Sequence, residues 1–491
     1  MKKILAVLLA TLMLLSLCAC GSTDQAASGT QSAAVVPGET TAAPKIDALQ
    51  VGWGRVDITP QSSVPLSGYG NTSMRMSTGF ETYLYSTCVA FSDGENTVLL
   101  FHNDLTYVNE NLTDSVRKKI NESYGVPEEN IMIAATHNHS APDFANANEP
   151  SATQYAQDLI KWLSKAAGLA LEDMAPVTGM YHGEDYPEGL NFTRHYTTEE
   201  GVYKGDNFND LCKSPITGHT HKADNQLQLV KITREGAEDV VLINWQTHPH
   251  RGGGGSNTSI TADLVGIMMQ EMEKKTGSKT AYFTGAAGNV NPSSYISAEN
   301  ITPDYREQGK QMAKYALGIL EGEMTAIPTG KVDVVTTSYT GRVNHTEDHL
   351  LNKAYEVSEL WKETNDFIRC VTLANSYGMN SPYHANSVIS KAGMPATKTM
   401  ENVSAVRVGE IGFACAPYEM FDENGKYIKE NSPFQVTFVL ELCNGSTGYI
   451  PSEEGYRINC YEANTGPFEP GTGEKVAQVY VDLLNTLYEN K

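Results

Sequence analysis

The chain has 491 residues, 40% of them apolar, enough for one large domain or two modest ones. It carries 58 acidic against 36 basic side chains, a formal net charge of −22. Such a surface repels nucleic acid and no clustered basic stretch offsets it, so a soluble, acidic, exported protein with no nucleic-acid partner is expected.

Lys2-Lys3 followed by an apolar run over residues 4–17 has the form of a signal peptide. Leu17-Cys18-Ala19-Cys20-Gly21 resembles the lipobox of bacterial lipoproteins, in which the cysteine at the Cys20 position is lipidated and becomes the new N-terminus. The run is too short and wrongly flanked for a membrane span. Residues 1–20 are thus expected to be a lipoprotein signal, with the mature protein lipid-anchored on the extracellular face of a bacterial membrane. Residues 21–46, rich in Ser, Thr, Ala, Gln and Gly, predict a flexible tether. Cys88, Cys212, Cys370, Cys415, Cys443 and Cys460 lack Cys-x-x-Cys spacing, which argues against a cysteine zinc site. Export permits disulfides, with Cys443 and Cys460 one candidate pair.

A strand is expected over 49–58, closed by Pro60, then a glycine-punctuated loop over 64–71. Strands follow over 86–91 and 97–102. Ile131-Met132-Ile133 leads into Ala134-Ala135-Thr136-His137-Asn138-His139-Ser140, which reads as a buried strand ending in two histidines. Strand alternation would set both imidazoles on one face. Tyr155, Leu159, Trp162, Leu163 and Ala166 recur at helical spacing and predict an amphipathic helix over 151–173. Residues 187–194 open a long polar and aromatic loop. A strand pair over 226–232 and 239–245 runs into Gln246-Thr247-His248-Pro249-His250, four glycines (252–255) and a helix from near Asp263. A strand over 279–283 enters a glycine-rich turn ending in Asn289-Val290-Asn291-Pro292. Helices are expected over 303–322, 346–363 and 474–488. The strand 411–415 precedes Ala416-Pro417-Tyr418-Glu419, and a strand over 434–442 precedes Gly448-Tyr449-Ile450-Pro451. Interleaved strands and helices without a repeat or second linker predict one α/β domain over 47–491.

Several apolar strands thus end in a histidine or carboxylate close to a proline. Two neutral imidazoles plus a carboxylate make a ligand set for hydrolytic zinc with a position left for water. Each piece also has a structural explanation: Glu419 as a first-turn helix charge, His248 as a turn residue, Tyr449 as core and Arg194 as a solvated loop charge.

In their order along the chain these segments resemble the neutral/alkaline non-lysosomal ceramidases, zinc-dependent amidases that cleave the N-acyl bond of ceramide. The family's Gly-x-Gly-x-x-Asp-Ile-Thr opening and glycine-tyrosine loop are similar to Gly52 to Thr59 and Gly68-Tyr69. Its Thr-His-Thr-His-Ser-Gly-Pro motif is similar to Thr136 through Pro142, its Thr-His-Pro to Thr247-His248-Pro249 and its Pro-Gly-Glu to Pro417-Tyr418-Glu419. Its Gly-Tyr segment and the acidic, tyrosine-bearing stretch after it are similar to Gly448-Tyr449 and to Glu453 through Glu462. The resemblance implies a single large mixed-sheet catalytic domain flanked by helices, and zinc held by His137, His248, Glu419 and Tyr449. It also implies His139 beside the metal for proton transfer or for holding the scissile carbonyl. Arg194, in Asn191-Phe192-Thr193-Arg194, is implied to contact substrate, and Asp263 to orient a ligand.

Two departures stand out. The serine often given as the family's nucleophile falls at Asn291, whose amide cannot attack a carbonyl but can donate a hydrogen bond to an oxyanion. The second is length: no immunoglobulin-like tail, as in longer members, is expected after the helix that follows the tyrosine motif. The expectation is a surface-tethered zinc amidase that uses zinc-activated water on a small-molecule or lipid N-acyl substrate. A non-enzymatic solute-binding lipoprotein, or a zinc hydrolase of esters or N-acyl sugars, is the alternative. Substrate choice is expected in loops over 183–222 and 364–400.

Overall fold

In the strand Tyr85–Ser92, Cys88 and Ala90 face one apolar cluster while Val89 and Phe91 face another. Its neighbours repeat the division, Leu99 and Phe101 against Val98 and Leu100, and Ile131 and Ile133 against Met132. Strands buried on both faces read as unbroken apolar runs rather than as alternation. The computed structural model describes residues 48–69, 74–201, 203–205, 214–302 and 304–490. The expected signal peptide with Cys20, the tether and Cys212 lie outside them.

The two faces belong to a helix–sheet–sheet–helix stack. The large mixed sheet runs in the order Lys279–Thr284, Ala237–Trp245, Leu227–Arg234, Ala175–Asp185, Gln50–Asp57, Tyr85–Ser92, Thr97–Asn103 and Ile131–Ala135, with Thr325–Ile327 also pairing Ala175–Asp185. Only the outermost pair at each edge is parallel. A helix crossover makes each of these parallel pairs, through Glu110–Tyr124 on one side and Asp263–Thr276 on the other. A four-stranded sheet (Val332–Arg342, Thr397–Val408, Ile411–Cys415, Val436–Leu440) packs Val406, Phe413 and Phe438 against Val230, Leu242 and Phe283 of the large one. Helix Pro150–Glu172 covers the outer face of the large sheet, and Thr472–Glu489 that of the small sheet. The Gly-x-Gly pair near the chain's opening serves this packing. A Cβ on Gly52 would lie 1.9 Å from Ala170 O and one on Gly54 2.3 Å from Ala166 O, so only glycine lets that helix lie on the strand.

The two edges of the large sheet end beside each other. Thr284 Oγ1 donates to Thr136 O at 2.8 Å. Residues 441–444, leaving the small sheet, stitch both edges: Glu441 N donates to Thr284 O at 3.1 Å and Asn444 N to Ile133 O at 2.8 Å. The loops after Ala135, Trp245, Thr284 and Cys415 therefore converge.

Two expectations need correction. Residues 364–400 are mostly not loop, since helices Phe367–Ser376 and Pro382–Ala392 occupy them, capped by Asp366 and Ser381. With Leu351–Thr364 they form a helical excursion from the paired strands Val332–Arg342 and Thr397–Val408. Cys443 and Cys460 are not paired, because Cys443 lies in the core between the sheets and Cys460 packs with Phe421 and Ile458.

Candidate metal centre

After Ala135 the chain leaves the strand, and His137 takes φ 66° in the left-handed region. This turn, not strand alternation, sets His137 and His139 side by side, with ring centroids 4.6 Å apart at 89°. Thr136 N donates to Asn103 O and Asn138 N to Leu105 O, which pins the turn to the neighbouring strand end. His248, three residues past Trp245, donates its backbone N–H to Val290 O at 3.0 Å. Glu419 and Tyr449 are partners in a two-stranded parallel ladder, so their side chains leave on one face.

These loops bring three ligating atoms together. His137 Nε2 lies 3.2 Å and His248 Nε2 3.4 Å from Glu419 Oε2. Tetrahedral ligands at zinc-like bond lengths stand about 3.4 Å apart. His137 Nδ1 meets Thr106 O at 2.8 Å, and His248 Nδ1 meets Ala287 O at 2.7 Å. A carbonyl only accepts, so each Nδ1 carries a proton and each neutral ring presents an Nε2 lone pair inward. Among the described residues no donor reaches Glu419 Oε2, although Glu419 is only 8% exposed. Lone pairs of two imidazoles and a carboxylate then face one another in a buried space, an arrangement that repels itself unless a cation joins it. The donor set fits a divalent metal, and the carbonyls behind the two imidazoles are the outer supports that metal-binding histidines use.

His139 differs. Its Nε2 lies 3.1 Å from His137 Nε2, but its Nδ1 is buried without a partner. With His137 and His248 it forms a group that could hold a metal ion, but among the described residues it lacks the carbonyl that orients each of those two rings. Burial, then His137 and His248, hold its imidazolium well below the ordinary range. Burial and the Arg194 charge lower His248 to about 3. Burial opposes charge on His137 as well, but Glu419 outweighs it and raises that imidazole. On Glu419 burial pushes upward, and the two imidazoles overcome it and keep the carboxylate well below its usual value.

Tyr449 is brought beside Glu419, its ring 5.6 Å from that of Tyr461. Burial and the Glu419 charge raise its phenol. Arg194 is also brought in: NH1 lies 3.5 Å from His248 Nε2, NH2 donates to Gly288 O at 2.8 Å and Nε to Glu462 Oε1 at 2.5 Å. Glu462 also faces His195 Nε2 at 2.9 Å, and the Arg194 guanidinium stacks 5.5 Å from the Tyr449 ring centre. Asn291 is buried next to Val290, in a short ladder with Phe192–Thr193 just before Arg194.

Asp263 is not brought to the imidazoles. It starts the helix Asp263–Thr276, where its carboxylate accepts from Leu264 N at 2.6 Å and from Gly252 N. It thus ties the glycine-rich loop to a helix instead of orienting a ligand. Burial, opposed by those two N–H groups, raises its carboxyl from 3.8 to about 6. The folded chain then holds a proton that the unfolded chain has released, so stability falls as pH rises from about 4 to about 6. Over that window Asp263→Asn should flatten the slope, a difference of order 2 kcal/mol. Equal pH slopes in urea titrations of the two proteins would refute it.

Thr106 O and Ala287 O, the supports of the two imidazoles, left no mark in the sequence because any residue supplies a carbonyl. Glu441, buried and accepting from Ala287 N and Met420 N at 3.1 Å, was missed too. Its signal was its place at the end of an apolar strand. Two further groups of ligand-type side chains occur among the described residues, His195/Cys460/Glu462 and His221/Asp422/Glu423. In both, ion pairs and amides already satisfy the carboxylates: Arg194 and His195 on Glu462, and His221 and Asn289 on Asp422.

Residues 49–156 match the family described as neutral/alkaline non-lysosomal ceramidase, N-terminal. Among solved structures the chain is similar to the neutral ceramidase from Pseudomonas aeruginosa, with 17% identity, a TM-score of 0.66, and 90% of this chain and 75% of that one covered. It is also similar to a ceramidase complexed with C2, with 16% identity, a TM-score of 0.64, and coverage of 90% and 76%. At these identities the two structures establish the shared α/β fold, a large mixed sheet flanked by helices. The family match thus spans the first strands and the histidine turn, and the fold shared with the two ceramidase structures extends over 90% of the chain.

Proposed function

We propose that this protein is a zinc-dependent amidase that hydrolyses an N-acyl bond of a small-molecule or lipid substrate. The observation that carries this reading is the convergence of His137 Nε2 and His248 Nε2 on Glu419 Oε2, at 3.2 and 3.4 Å, with both Nδ1 atoms committed to carbonyls. His137, His248 and Glu419 would hold the ion, with Tyr449 on the same face as the fourth candidate. Zinc there supplies Lewis acidity and lowers the pKa of water, which removes the need for the serine that Asn291 replaces. Around it, neutral His139 is placed to accept a proton from water and to hand one to the leaving amine. Arg194, held by Glu462, presents positive charge where a carbonyl oxygen would turn anionic. The sequence of residues 1–46 supports a lipid anchor at Cys20 and a position on the extracellular face of the membrane.

Purified protein should contain one zinc per chain and release amine from a member of a panel of N-acyl lipids, N-acyl sugars and esters. A chelator should abolish turnover and lower the melting temperature, because a ligand held 100-fold above its Kd stabilises the fold by about 2.7 kcal/mol. Absence of bound metal, or hydrolysis indifferent to chelation, would defeat the proposal. Turnover of esters or N-acyl sugars alone would keep the zinc and change the substrate class.

A further inference from the structure

The site contains three imidazoles, and only two have a carbonyl behind Nδ1 to orient them. His139 must be held some other way, and the hairpin Pro65–Leu66/Arg75–Met76 lies against it. Gly68 has φ +101°, and a Cβ there would stand 2.6 Å from both Cα and Cβ of His139 and 2.7 Å from its Cγ. Only glycine takes that backbone and that approach without displacing His139. The Tyr69 ring meets the His139 imidazole edge-on, with centroids 5.3 Å apart. Its hydroxyl donates to His250 O at 3.0 Å and accepts from Gly254 N at 3.0 Å, joining the hairpin to the loop after His248.

Arg75 completes the clamp. It is 7% exposed, and its guanidinium, 4.8 Å from the Tyr69 ring centre, donates through both terminal nitrogens to backbone carbonyls. NH2 donates to Ser67 O and to His139 O (3.2 Å), and NH1 to Asn257 O at 2.9 Å. Three loops are thereby tied by one planar fork: the hairpin, the histidine turn and the glycine-rich loop. Charge-assisted bonds of this kind are about twice as strong as neutral ones. Each of the three touches His139, which gives them one shared route to the chemistry.

We propose that Gly68, Tyr69 and Arg75 are positioning residues that fix the His139 imidazole for proton transfer. This rests on the proton-handling role given to His139 under the proposed function. Gly68→Ala should lower kcat by about 100-fold, the cost of misplacing a reacting group by an ångström, with KM and bound metal unchanged. Arg75→Lys should act in the same direction, since one ammonium cannot replace the fork. Tyr69→Phe keeps the ring and removes the hydroxyl, and should lower kcat several-fold. Crystal structures of Gly68→Ala and Tyr69→Phe should show the His139 ring shifted relative to His137. Wild-type kcat with an unmoved ring overturns the proposal, as does loss of metal and fold in step with activity. Should Gly68→Ala not fold, Tyr69→Phe decides alone. If the wild-type protein hydrolyses nothing, the proposed function fails, while the position of His139 in the variants still tests the clamp.

Discussion

His248→Ala should yield a folded protein that binds no stoichiometric metal and has lost at least about 10³-fold in kcat/KM, since a Lewis acid supplies several kcal/mol to an acyl-transfer transition state. The reasons lie in the burial and wiring of this residue. It is fully buried, its Nδ1 proton is held by Ala287 O, and its lone pair points at Glu419 Oε2 3.4 Å away. Alanine leaves His137 and Glu419, with the protonated Tyr449 phenol as the remaining candidate, too weak a set for a buried ion that must shed its water shell. The substitution should also separate metal effects from folding effects. Without metal, removing one of three mutually repelling lone pairs costs little, so the variant should melt close to the chelated wild-type protein. Added zinc should raise the melting temperature of the wild type and leave that of the variant unchanged. Full metal content in His248→Ala, by elemental analysis after dialysis, would place the ion elsewhere.

Arg194→Met should destabilise the fold by about 3 kcal/mol at neutral pH, near the low end for breaking a buried ion pair by removing one partner. Glu462 is 1% exposed and keeps His195 as its cationic neighbour, while Gly288 O loses its Arg194 donor. In the intact protein burial raises the Glu462 carboxyl, and Arg194 then His195 more than reverse that and hold it well below its ordinary value. A depressed carboxylate contributes stability above its unfolded pKa of about 4.3 and loses it as pH falls through the folded value. The gap between wild type and variant should therefore be widest near neutrality and shrink below about pH 4. Urea denaturation at the two pH values reads both effects. Arg194→Met/Glu462→Gln should cost less than the sum of the single changes, because residues sharing one network do not add. A variant as stable as wild type at neutral pH would show that solvent reaches Glu462.

Much of the architecture was legible because its signals are local. Continuous apolar runs marked the doubly buried strands, and the helix Pro150–Glu172 began within one residue of its expected start. The two longest strands of the small sheet were not read. Val332–Arg342 is exposed or half-exposed over most of its length, and Thr397–Val408 over its first half, so their outward residues are polar and their apolar signal is diluted. Helices Phe367–Ser376 and Pro382–Ala392 were also passed over, although Asp366 and Ser381-Pro382 are cap signals of the usual kind. Short helices bury few residues and leave a weak period.

The sequence by itself determined which side chains could act: the strand-end residues His137, His139, His248 and Glu419, and Tyr449 after its glycine. Residue type and position at a strand end are properties of a few neighbouring residues. Which of them meet was decided by tertiary structure alone. The edges of one large sheet come together, residues 441–444 join them, and a left-handed turn at His137 aims two rings into the gap. The difference among the imidazoles was decided there too, since distant carbonyls face Nδ1 of His137 and His248 while that of His139 is buried without one among the described residues. Arg194 finds Glu462 from 268 positions away. Such long-range pairings come from packing whole layers, and no local pattern in the chain records them.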